Sequence, residues 1–128
     1  MITRKVIMYE TLVEYYKQYK DKSPELLSRK ADVHRSPEVA IDFALHTVKE
    51  INRSKKKLLR VMGYTCKDLY IIDADAHSPV WIKKDIYETL NKWLEKCDYV
   101  YMTFTYADNK TVRVVINKTK HNHPRKTR

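Results

Sequence analysis

The chain has 128 residues and a formal charge of +10. That length is enough for one domain with a real core, and the basic surplus suits polyanions, since each neutralised phosphate releases counterions. A single glycine excludes a glycine-rich phosphate loop, no cysteine–histidine spacing fits zinc, and no apolar run nears the roughly 20 residues of a bilayer span.

The amino terminus carries Arg4, Lys5, Glu10 and Glu14 within an amphipathic pattern, unlike a secretory leader. Cys66 and Cys97 are therefore expected as reduced core thiols. The expectation is a cytoplasmic protein with no membrane association. Lys, Ile, Tyr and Asn far outnumber Gly, Ala, Pro and Arg, a bias towards A/T-rich codons that points to a bacteriophage or a low-GC bacterium. For a phage protein the compartment is the host cytoplasm.

Residues 2–20 read as a helix. Ile2, Val6, Tyr9, Val13 and Tyr16 follow a 4-3-4-3 spacing, with Met8, Leu12, Tyr15 and Tyr19 in an adjacent row. A stripe this rich in tyrosine either packs on its own domain or forms a partner or homodimer interface, with Tyr9, Tyr15, Tyr16 and Tyr19 as its contacts. Ser23-Pro24-Glu25 and Ser36-Pro37-Glu38 each open a further helix, because serine caps orphan amides and proline suits the first helical position. The helix begun at Pro37 carries Val39, Phe43, Ala44, Val48 and Ile51, and its pattern runs on through Leu58, Leu59 and Met62 to a stop at Gly63. Lys55, Lys56, Lys57 and Arg60 make a basic cluster there, either a phosphate contact or a solvated face.

Thr65-Cys66-Lys67-Asp68 has the form of a capping box, so 66–72 is a short helix or, since LYII is β-branched and aromatic, a strand. After the polar string Asp73-Ala74-Asp75-Ala76-His77, Ser78-Pro79 begins another helix with Ile82, Ile86, Leu90, Trp93 and Cys97 on its apolar stripe. The period then changes to two. In the hairpin 99–117, Val100, Met102, Phe104 and Tyr106 face Val112, Val114 and Ile116 on the buried side. Thr103, Thr105, Arg113 and Asn117 look outward, and Asp108-Asn109 supplies the turn. Residues 118–128 hold five cationic side chains and no acid, too little apolar content to pack.

In this order, residues 54–117 resemble a winged helix-turn-helix domain: helix 55–62, helix 66–72, turn 73–78, recognition helix 79–96 and wing 99–117. The resemblance implies an α+β, mainly helical chain, a winged-helix-like bundle with a C-terminal β-hairpin and extra N-terminal helices. Its divisions are a helical extension (1–35), the winged-helix-like domain (36–117) and a basic flexible tail (118–128). The family places its recognition helix in the major groove, which nominates Trp81, Lys83, Lys84, Tyr87 and Asn91 for bases and Lys110 and Arg113 for the backbone or minor groove. Lys55, Lys56 and Lys57, with Lys118, Lys120, Arg125, Lys126 and Arg128 of the tail, are the expected phosphate contacts.

The leading expectation is a transcription-related regulator that binds duplex DNA rather than RNA, with no cofactor. A second is a protein-interaction module for host transcription machinery, such as RNA polymerase. The third is a small metal-dependent nuclease, for which Asp73, Asp75 and His77 alternate as hard-metal ligands could. His46 and Glu50 at i,i+4 and His121 and His123 of the tail are weaker metal signals, and no metal site is assigned.

Overall fold

The N-terminal stretch is a strand, not a helix. In a computed structural model, which describes residues 3–51, 58–65, 69–72 and 84–124, the first element is β1 (Thr3–Lys17), followed by β2 (Glu25–His34), α1 (Pro37–Ile51), β3 (Leu58–Tyr64), β4 (Leu69–Ile72), α2 (Lys84–Lys96), β5 (Tyr99–Tyr106) and β6 (Lys110–Pro124). The strands form one six-stranded sheet in the order β2-β1-β6-β5-β3-β4. Every neighbouring pair is antiparallel.

This corrects the expectation of a mainly helical, winged-helix-like bundle with extra N-terminal helices. Residues 58–62 of the segment expected as that family's first helix lie in β3, and LYII is β4, the strand alternative for that stretch. The reason lies in β1. Its period-two partition puts Tyr9, Thr11, Val13 and Tyr15 on one face and Met8, Glu10, Leu12, Glu14 and Tyr16 on the other. Both faces carry large apolar groups, Tyr9, Val13 and Tyr15 on one and Met8, Leu12 and Tyr16 on the other, and two mixed faces imitate a broad helical stripe. The tyrosines, valines and threonine of the segment are good strand formers, and pairing with β6 along its full length settles the matter. The Ser23-Pro24 step leads into β2 rather than a helix.

β1 and β2 are thus part of the same sheet as the later strands, and β6 extends the hairpin strand through residues 118–124, which were expected as tail. Two leucines are extra residues in the ladders. Leu27 is skipped where Tyr15 pairs with Ser28 and Tyr16 with Leu26, and Leu59 is skipped where Leu58 pairs with Tyr106 and Arg60 with Thr105. Such bulges bend a strand and raise its twist.

Where the sequence alternates cleanly, the structure follows it. Val100, Met102, Phe104 and Tyr106 of β5 and Val112, Val114 and Ile116 of β6 are all buried, and Asn109 takes a φ of 61° in the connecting turn, which asparagine tolerates. α1 begins as expected, with Ser36 Oγ accepting from the Val39 N–H at 3.3 Å. It buries Ala40, Ile41, Ala44, Leu45 and Val48.

Both helices share one face of the sheet. α1 lies over β1, β2 and β6, and α2 over β5. Leu90 and Leu94 of α2 join the core with Val13, Val61 and the β5 and β6 residues. Gly63, expected as a helix stop, instead sits opposite Met102 in the β3–β5 ladder. A Cβ there would lie 3.3 Å from Met102 Cγ and 3.4 Å from Trp93 Cζ3, so the missing side chain lets the indole of α2 come down on the sheet. No helix among the described residues is long and apolar enough to cross a membrane.

Candidate nucleic-acid interface

With both helices on one side, the other face of the sheet carries no described element. The register fixes what stands on it. Tyr16, Glu14, Leu12 and Glu10 of β1 lie opposite Thr111, Arg113, Val115 and Asn117 of β6. Those in turn lie opposite Thr105, Thr103, Tyr101 and Tyr99 of β5. Arg60, Met62 and Tyr64 of β3 complete the face opposite Thr105, Thr103 and Tyr101. On the far side, Arg29, Ala31 and Val33 of β2 lie opposite Glu14, Leu12 and Glu10.

Aromatic and cationic groups cross this face on a diagonal. The Arg113 guanidinium stands 4.9 Å from the centroid of the Tyr16 ring, a cation–π contact. One strand further on, the Tyr101 and Tyr64 rings stack with centroids 4.9 Å apart and an interplanar angle of 26°. Tyr64 is 39% exposed. The path from β1 to β3 crosses three strand spacings, roughly 14 Å. Glu14 sits among these groups, its carboxylate 4.0 Å from Arg29 Nε. Burial, then the Glu14 carboxylate, hold the Tyr16 hydroxyl above its usual range, and Arg113 pulls it the other way. The Tyr16 ring therefore stays neutral at physiological pH.

A face of this kind can stack flat π systems and pair with phosphate. Tyrosine rings offer planar apolar area. Arginine offers a permanent charge with a planar fork suited to phosphate oxygens.

The residues expected from the sequence are dispersed. Arg113 belongs to the diagonal. Lys110 closes the hairpin and pairs with Asp108 at 3.6 Å. Lys118 is half-buried on the helix side, where its Nζ donates to the Leu94 carbonyl in the last turn of α2. Tyr87 turns towards α1, its hydroxyl raised by burial and then by Asp42 and Glu38. Asn91 is half-buried on α2, and Lys84 begins that helix. Lys120 is placed in β6 by its backbone. Trp81, Lys83, Lys55, Lys56, Lys57, Arg125, Lys126 and Arg128 lie outside the described residues.

The four tyrosines expected as a partner interface do not share a surface. Tyr9 and Tyr15 pack against the core, and burial followed by Glu38 raises the Tyr9 hydroxyl. Tyr16 is on the helix-free face. Tyr19 follows β1, donates to Glu25 Oε1 at 2.7 Å and has Lys22 Nζ 4.2 Å from its ring centroid.

Asp73, Asp75 and His77 lie outside the described residues. His46 and Glu50 make an exposed i,i+4 contact of 3.1 Å on α1, and no group of three possible metal ligands occurs among the described residues. Cys97 is buried, and Cys66 lies outside the described residues.

Tyr101 and Tyr64 were missed by the sequence reading. The hairpin's alternation already places Tyr101 on the same side as Thr103 and Arg113, so its signal was present. Tyr64 was hidden because β3 read as the end of a helix.

No protein-family model, no curated protein and no solved structure matches the chain.

Proposed function

We propose that this protein binds single-stranded nucleic acid on the helix-free face of its sheet. The observation that carries this reading is the diagonal of Tyr16, Arg113, Tyr101 and Tyr64 across four adjacent strands. Exposed rings on a sheet stack unpaired bases whatever their identity, and basic side chains beside them track the backbone. A duplex hides its base faces, which leaves these rings no base to stack on. The charge of +10 supports a polyanionic partner in general, and the rings favour the unpaired form of one.

Fluorescence anisotropy of the full chain with labelled oligomers of about 12 nucleotides tests this, using single-stranded DNA, single-stranded RNA and duplex DNA. Single strands are expected to bind at least about tenfold more tightly than duplex, with affinity falling between about 50 and 200 mM salt. Absence of binding at low salt, or a preference for duplex that Tyr101→Ala leaves unchanged, overturns the reading.

A protein partner on the same face is the second reading. Leu12, Val115 and Met62 stand among the tyrosines, and such an aliphatic ground suits a protein surface. Binding of single strands that Tyr101→Ala and Arg113→Ala both abolish excludes it as the main use of the face.

A further inference from the structure

β2 is the edge strand next to β1, and nothing among the described residues pairs with its outer side. It is ten residues long, with Leu26, Leu27 and Val33 at 47%, 40% and 50% exposure. A long exposed edge with apolar side chains is a template for another strand. Proteins that must avoid this shorten, bulge or charge the edge. β2 carries a bulge at Leu27 and charges at Arg29, Lys30 and Asp32, and residues 28–34 remain a run without a register break, Ser-Arg-Lys-Ala-Asp-Val-His.

We propose that this run pairs with the same run of a second copy, antiparallel and centred on Ala31. The symmetry restricts the choice. A twofold axis that joins two sheets edge to edge stands normal to them and keeps every side chain on its own face. One residue must therefore face itself at the axis. With Ala31 there, Lys30 lies opposite the second copy's Asp32 and the second copy's Lys30 opposite Asp32. Arg29 meets Val33, Ser28 meets His34, and the whole regular run is used.

Neighbouring centres are worse. Arg29, Lys30 or Asp32 on the axis would each face its own charge. Opposite charges directly across a ladder stabilise it and like charges destabilise it. A centre at Val33 would leave residues 28–31 without partners in the second copy's β2, so the whole run is complementary to itself only about Ala31, which argues for a second copy rather than an unrelated strand.

Asp32 has a use in the separate chain as well. Its Oδ1 accepts from the Val33 N–H at 2.8 Å, and its other oxygen lies 3.7 Å from His34 Nε2. The carboxylate thus covers one backbone donor of the strand until a second strand supplies a carbonyl. Pairing then frees Asp32 for Lys30 of the other copy. Arg29, Ala31 and Val33 lie on the helix-free face, so the paired sheets present their two faces as one surface. The proposal does not depend on what that surface binds.

Sedimentation equilibrium of the full chain over a concentration series tests it, with circular dichroism to confirm that each variant folds. The wild type is expected to be a concentration-dependent dimer. Lys30→Asp alone and Asp32→Lys alone each place like charges opposite one another twice, and each should weaken the dimer about tenfold or more. The double variant Lys30→Asp with Asp32→Lys restores complementarity and should recover most of the loss. A monomer at the highest soluble concentration overturns the proposal. So does a dimer that the single reversals leave intact, or one that the double variant fails to restore.

Discussion

Arg113 stands directly opposite Glu14 in the β1–β6 ladder, yet its guanidinium lies over the ring of Tyr16, 4.9 Å from the centroid. Glu14 is shared, since its carboxylate also lies 4.0 Å from Arg29. The arginine is thus held against an aromatic surface, which on the proposed reading orders it before a phosphate arrives. Arg113→Ala is expected to weaken single-strand binding about tenfold and to make the logarithmic salt slope shallower by about 0.7. Tyr101→Ala should cost about 1–3 kcal/mol of binding, and Tyr101→Phe almost nothing, because stacking uses the ring. Anisotropy titrations at several salt concentrations measure both.

Tyr106 is 2% exposed, and its hydroxyl has no hydrogen-bond partner among the described residues. Tyr106→Phe should therefore be neutral or stabilise by about 1 kcal/mol in urea unfolding, since a buried polar atom without a partner carries its full desolvation cost. Burial, followed by the neighbouring Tyr15 and Asp108, pushes its ionisation far above the ordinary tyrosine value of 10.0. In the unfolded chain the hydroxyl ionises near that ordinary value, while in the folded chain it keeps its proton. Rising pH above it therefore favours the unfolded state, by about 1.4 kcal/mol per pH unit for this one group. The phenylalanine variant should lose stability less steeply in that alkaline window.

Lys118 is expected to matter for stability rather than for ligand binding. Its ammonium caps the Leu94 carbonyl at the end of α2, where the helix leaves acceptors unpaired and favours positive charge. Lys118→Ala should cost about 1 kcal/mol in a denaturant melt and leave oligonucleotide affinity within about twofold. A large loss of affinity with unchanged stability would return Lys118 to the phosphate contacts.

Gly63 tests the seat of Trp93. A valine there adds volume where a single Cβ already lies 3.3 Å from Met102 and 3.4 Å from the indole. Gly63→Val should destabilise by about 1–3 kcal/mol through overpacking. The Trp93 fluorescence should shift as the ring is displaced. An unchanged spectrum and melt would show that the indole has room to move.

Local chemistry was legible wherever one face of an element was plainly apolar and the other plainly polar. The β5–β6 hairpin and its Asp108-Asn109 turn, and the Ser36-Pro37 start of α1, follow from alternation and capping. β1 was not legible in this way. It lies between β2 and β6, and its second face holds Leu12 and Met8 beside two glutamates, so period two is blurred. β3 misled for a related reason, because the extra Leu59 breaks its alternation and leaves Leu58, Leu59 and Met62 at helix-like spacing.

The candidate site inherits these errors. Arg113 was singled out, as part of a wing. The face it stands on needs β1 and β3 as strands, so Tyr16 and Tyr64 could not be grouped with it. No local signal in the sequence says that β1 and β6, at opposite ends of the chain, lie side by side. That contact comes from the tertiary arrangement.

The same neighbourhood sets the order of events during synthesis. β1 has its longest ladder with β6, whose residues leave the ribosome after every other described strand has been made. Until then β1 and β2 can pair only with each other, with α1 against one face, and the edge of β1 that β6 covers stays open. The sheet must therefore close late and through distant contacts, which makes folding slow and leaves the early strands dependent on protection from aggregation.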